Sequence, residues 1–143
     1  MVAKDVKVML TKKIADLQKN ILLLEQIKAE ISIDNLHEDE VKYWAIERGL
    51  QLSVEIVIDI ANILISANDW ETPDTYRETL LKLGEKEIVP KAFAEKISGM
   101  AHFRNILVHD YLEMDENILK EVLTVGIADI VKYIDYVNRY LKS

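Results

Sequence analysis

The sequence predicts an all-α fold: an up-and-down bundle of four long helices plus one short helix. Three observations lead there. Apolar residues recur at alternating spacings of three and four over long stretches, the signature of buried helix faces. Only four Gly and two Pro occur in 143 residues, too few to punctuate many short strands. Half of the residues are hydrophobic and 30% are charged, a globular rather than disordered composition. That length supports one domain with a proper core, spanning residues 1–143.

The first helix is predicted from Lys4 to Glu30, with Leu10, Ile14, Leu17, Ile21 and Leu24 drawing one buried stripe. Ser32, Ile33, Asp34 and Asn35 interrupt it. A second helix follows from about Glu38 to Ser66, apolar around most of its circumference. Asn68–Asp74 reads as a loop. Thr75 with Glu78 then matches a capping box for a short third helix that ends near Gly84. Pro90 opens a fourth helix, expected to run from about Lys91 to Val108 or slightly beyond. Met114–Asn117 is a turn in which Asp115 caps the fifth helix. That helix reaches Leu141 with Leu123, Ile127, Ile130, Ile134, Val137 and Leu141 on its inner face. Loops this short favour antiparallel neighbours.

Composition narrows the classes of function. The absence of Cys excludes a disulfide scaffold and a thiolate zinc site, and fits a reducing cytoplasm. The N-terminal residues lack the apolar core of a secretion signal, and the most apolar stretch, Leu50 to Ala67, carries Glu55 and Asp59 near its middle. A buried helix is expected there rather than a membrane span, and a cytoplasmic protein with no membrane partner. A net charge of −7 argues against a surface that grips nucleic acid everywhere, but leaves room for a local basic site.

On the second helix Arg48, Gln51, Glu55, Asp59 and Asn62 fall on one line among many apolar residues. The line reads either as a solvated edge with exposed pairs or as a polar seam at a subunit interface or site wall; the second reading is preferred because the helix is apolar on its other faces. Glu55 and Asp59 alone do not make an acid–base pair, and with no His beside them a carboxylate metal site has little support.

The end of the fourth helix concentrates reactive side chains. Phe93, Ile97 and Met100 face inward on a line that continues to Arg104, where a guanidinium needs an anion or several acceptors. His102, Asn105 and His109 share another face. An ideal helix separates Arg104 from His109 by about 140°, so bringing them to one phosphate requires a distorted last turn or a second subunit. His109 also has a structural reading, as a cation on the C-terminal carbonyls of its helix. A metal pair of His102 and His109 fails on distance, since seven residues rise roughly 10 Å. With no Cys, no nucleophile elbow and no Gly-rich phosphate loop, what remains is Arg for anionic charge and His for proton transfer near neutral pH. That pairing suits phosphodiester cleavage.

The pattern Arg104-Asn105-x-x-x-His109-x-Tyr111 resembles the HEPN superfamily (higher eukaryote and prokaryote nucleotide-binding domain), and more closely the HepT toxins of HepT–MntA toxin–antitoxin systems. The surrounding Met100–Leu112 segment and Glu47-Arg48-Gly49-Leu50-Gln51 leading into Glu55, Asp59 and Asn62 are similar to that group. The resemblance implies a metal-independent endoribonuclease that needs no cofactor and works as a homodimer, the motifs of two subunits facing one another across a cleft. It implies Arg104 as phosphate clamp, His109 as general acid or base, and Asn105 as an orienting group. It further implies a partner, a minimal nucleotidyltransferase antitoxin that transfers AMP to Tyr111, adding bulk and negative charge where the RNA substrate binds. By itself Tyr111 reads as a half-buried aromatic at a helix end. Lys12, Lys13 and Lys19 on the first helix, with Lys86, Lys91 and Lys96 ahead of the motif, are the candidates for a basic RNA cleft in a dimer. The alternative reading is a non-catalytic helical subunit that binds a nucleotidyltransferase or a nucleotide.

Overall fold

The structure, a computed structural model, describes residues 2–109 and 115–143, and helices are the only regular elements among them. Helix α1 (Lys4–Glu30) buries Leu10, Ile14, Leu17, Ile21 and Leu24, the stripe that its spacing dictates. The connector to the next helix contains a 3-10 turn, Leu36–Glu38, so α2 (Glu40–Ala67) starts slightly later than its periodicity suggests. Asp39 sets that start: its carboxylate accepts the backbone N–H groups of Val41 and Lys42, both at 3.1 Å. Thr75 caps α3 (Tyr76–Glu85) by accepting the Glu78 N–H at 3.1 Å. The return arm of the box is displaced by one residue, Glu78 accepting from the Asp74 N–H at 3.3 Å.

The fourth helix is two helices. α4 (Lys91–Ile97) and α5 (Gly99–His109) are separated at Ser98. The buried Ser98 hydroxyl donates to the Glu95 carbonyl at 2.6 Å and accepts from the Arg77 guanidinium at 2.9 Å. A side chain bonded to its own preceding turn competes with the helix ladder, and Gly99 follows it with the low helix propensity of glycine. The fifth helix is also interrupted. α6 (Glu116–Glu121), capped by Asp115, passes through a π-helical turn, Val122–Gly126, before α7 (Ile127–Lys142). Leu119, Leu123 and Ile127 are buried at two successive steps of four, a spacing that the wider π turn carries on one face. The Thr124 hydroxyl, bonded back to the Lys120 carbonyl at 2.8 Å, loosens the ladder there. The inner face otherwise follows the expected line, with Leu141 only half-buried.

One hydrophobic cluster draws residues from every helix, and α2 lies at its centre with α1, α3 and α5 around it. By length and composition α2 would pass for a membrane span, yet Leu50, Val54, Val57, Ile60, Ala61 and Leu64 are fully buried within the bundle. A Cβ on Gly49 would stand 2.9 Å from the Leu24 side chain, so glycine there leaves room for the buried Leu24 of α1. Tyr133 on α7 closes the core, its hydroxyl donating to the Val57 carbonyl at 2.9 Å. Burial raises that phenol's pKa far above the usual range, so it stays a neutral donor.

Candidate active site

α5 forms a ridge. Met100, Ala101, Phe103, Ile106 and Leu107 are buried against the bundle, whereas His102, Asn105 and His109 form an exposed stripe. Arg104 lies between these faces, half-buried, with its guanidinium carbon 4.8 Å from the ring centre of Tyr76. This cation–π contact is fixed from below, because Tyr76 is the first residue of α3 and follows the Thr75 cap. Arg77 beside it holds Ser98, so the first turn of α3 braces both the start and the middle of α5.

A groove of about 440 Å³ runs along one flank of the ridge, where Asn105 faces Asn62 of α2 and the Thr72–Tyr76 connector. On the other flank lies a largely apolar groove of about 310 Å³, lined by His102, Phe103 and Ile106 and by residues of the π turn. Its polar edge is the ion pair of Lys96 with the buried Asp129, 3.0 Å long. Sequence reading missed both Tyr76 and Asp129. The capping box placed Tyr76 at the head of α3, but nothing in the sequence connects it to an arginine 28 residues later.

Within one chain Arg104 and His109 are not brought together. α5 remains α-helical as far as His109, so no distorted turn among the described residues offsets the helical angle between them. Neither side chain makes a hydrogen bond or ion pair among the described residues. Tyr111 lies outside the described residues.

On α2, Arg48 and Asp59 are exposed, and Gln51 and Glu55 half-buried. Asp59 pairs with Lys13 of α1 at 3.3 Å, and Gln51 donates to Glu55 at 3.4 Å. Arg48 lies beside Leu23 and Ile27 of α1 in a shallow apolar groove. Among the six candidate lysines, Lys13 and Lys96 are thus tied to carboxylates and Lys86 stands 5.3 Å over the Trp70 ring; Lys12, Lys19 and Lys91 are exposed. No group of three or more His, Asp or Glu able to hold a metal ion occurs among the described residues.

Where α2 begins, the Leu36 N–H donates to Glu116 at 3.0 Å and the His37 ring stacks on Tyr43, their centroids 4.1 Å apart. Burial raises the Glu47 carboxyl pKa above the usual carboxylate range, Glu40 adding to the effect and His37 opposing it. The Tyr43 phenol is raised likewise, by burial first and then by Glu47, Glu116 and Glu40.

The bundle has close counterparts among known proteins. The HEPN toxin of Shewanella oneidensis, solved in tri-AMPylated form with its MNT antitoxin, superposes with a TM-score of 0.83 at 24% identity, covering 96% of this chain and 99% of that one. This likeness defines the fold as that of a HEPN toxin. The mRNA nuclease HepT of Shewanella oneidensis is 25% identical over 126 residues, which is 88% of this chain and 93% of that protein. The tRNA nuclease HepT of Aphanizomenon flos-aquae is 28% identical over 111 residues, 78% of this chain and 76% of that protein. A family model described as ribonuclease HepT-like matches residues 17–137. The chain belongs to the ribonuclease HepT-like family.

Proposed function

We propose that the protein is a metal-independent endoribonuclease, the toxin of a HEPN/MNT toxin–antitoxin system acting in the cytoplasm. The observation that carries the reading is the state of α5: Arg104, Asn105 and His109, the motif residues it bears, make no hydrogen bond or ion pair among the described residues. Membership of the HepT-like family and the names of the two nuclease relatives support it.

In this reading a ribose 2′-hydroxyl is the nucleophile. His109 accepts its proton as the 2′-oxygen attacks phosphorus, and the 5′-oxygen departs and takes a proton from solvent. Arg104 stabilises the charge that builds on the phosphoryl oxygens, and Asn105 orients the linkage. The products are a 2′,3′-cyclic phosphate and a 5′-hydroxyl, with no cofactor. Because Arg104 and His109 diverge on one helix, the complete site is formed in a homodimer, Arg104 of one copy meeting His109 of its partner. The polar seam of Arg48, Gln51, Glu55 and Asp59 is the flank beside that junction, and its in-chain pairs lower the cost of covering it. A minimal nucleotidyltransferase antitoxin silences the site by transferring AMP to Tyr111, whose added phosphate repels the RNA backbone.

The test is cleavage of a defined RNA in excess EDTA, with the product ends identified. Undiminished cleavage to cyclic phosphate ends, abolished by a 2′-deoxy substitution at the scissile nucleotide, is the expected result. Intact RNA in every condition, while the chain still binds its nucleotidyltransferase, would establish the non-catalytic subunit instead. Coexpression with that antitoxin should add adenylyl mass to the wild type and none to Tyr111→Phe.

A further inference from the structure

We infer that the groove between Asn105 and Asn62 is a nucleobase subsite, taking one unstacked base next to the linkage that Arg104 holds. The inference rests on the nuclease reading for the placing of that linkage, and on the groove itself for the base. Among the described residues, the only charged one in the groove lining is Asp74. A phosphate would be repelled there and a neutral heterocycle would not. The threonine hydroxyls nearest α3 are already engaged, Thr75 accepting from the Glu78 N–H and Thr79 donating to the Thr75 carbonyl at 2.9 Å. The amides of Asn62 and Asn105 have no protein hydrogen-bond partner among the described residues, and each offers a donor and an acceptor. Such a pair, with the Asp74 carboxylate, matches the edge of a base that bears an exocyclic amine better than that of uracil.

Tyr76 supplies the stacking surface. Tyr76 lines the groove and is 39% exposed as a residue, while Arg104 lies over its ring from the α5 side. Single-stranded nucleic acids are bound in this way, bases stacking on aromatic rings while cations hold the backbone. One aromatic ring therefore touches both the guanidinium and the base, which sets the distance from phosphate to base at that of adjoining parts of one strand.

The test uses the full chain and short single-stranded 2′-fluoro RNAs, which lack the 2′-hydroxyl nucleophile, with one abasic residue walked along the strand and binding read by fluorescence anisotropy. At one position the abasic residue should weaken binding to wild type about tenfold. Tyr76→Leu should weaken the intact strand by a similar factor and then be insensitive to the abasic residue at that position, while Tyr76→Phe restores wild-type behaviour. Asn62→Ala should keep the stacking effect and lose a preference for an amine-bearing base over uracil of about fivefold or more. Equal binding of wild type to every abasic strand, no binding at all, or multiplicative losses for Tyr76→Leu and the abasic residue would overturn the subsite. Base-dependent binding by a protein that leaves natural RNA intact removes the nuclease reading alone. Cleavage with no base dependence removes the subsite alone.

Discussion

Helices α2 and α5 pack side by side, and each carries a line of polar residues, yet the two lines are treated differently. On α2, Asp59 reaches Lys13 of the neighbouring helix and Gln51 reaches Glu55, while Arg48 and Asn62 at the two ends of the line have no such partner among the described residues. On α5, His102, Asn105 and His109 point outward without a partner among the described residues, and Arg104 meets only the face of Tyr76. Polar side chains satisfied inside the chain shape its surface. Those left unsatisfied on a braced helix are available to a ligand. In the proposed reading the difference separates a flank from a reaction centre, although both appear in the sequence as polar residues at helical spacing.

Substitutions in and around α2 should alter stability without altering the chemistry of the folded protein. Leu64→Ala, at a fully buried position, should lower stability by about 2–5 kcal/mol in chemical denaturation, with loss of cleavage only in proportion to the unfolded fraction. Tyr133→Phe removes the hydroxyl bonded to Val57 and should lower stability by about 1 kcal/mol, again leaving catalysis by the folded protein unchanged. Lys13→Met breaks an exposed bridge and should change stability by less than about 1 kcal/mol. If that variant still bound RNA but lost cleavage per folded protein, the α2 line would belong to the chemistry and the contrast would fail.

The smallest effect concerns pH. The Glu47 pKa is raised in the folded protein above its ordinary value of 4.5, so folding favours the protonated acid. The stability linked to it is complete below the unfolded pKa and is lost as pH rises through the folded one. Glu47→Gln should therefore show a slightly higher Tm than wild type at neutral pH, and the gap should close in acid. A gap that widens as pH falls would reverse the sign of this account.

Much of the fold was legible because long amphipathic helices state their inner faces locally. The α1 stripe, the Thr75 cap and the inner line of α7 follow from spacing and hydrogen-bonding chemistry over a few residues. The break at Ser98 has a local cue in the Ser98-Gly99 pair, but the Arg77 guanidinium that holds the Ser98 hydroxyl comes from 21 residues earlier and no local pattern announces it. The π turn at Val122–Gly126 leaves only faint local traces, the successive steps of four from Leu119 to Ile127 and the Thr124 back-bond, which an ordinary α-helix also tolerates. At the candidate site, the motif marks Arg104, Asn105 and His109 in the sequence, but the placement of Arg104 over Tyr76 is a tertiary fact. The approach of Arg104 to His109 is proposed between two copies, beyond what one chain's periodicity encodes.

The most direct measurement is the rate of RNA cleavage by purified, unmodified wild type beside Arg104→Ala and His109→Ala, each with its thermal unfolding curve. The account predicts a fall of at least about 100-fold for either substitution with Tm nearly unchanged. Folded variants that cleave as fast as wild type would contradict it.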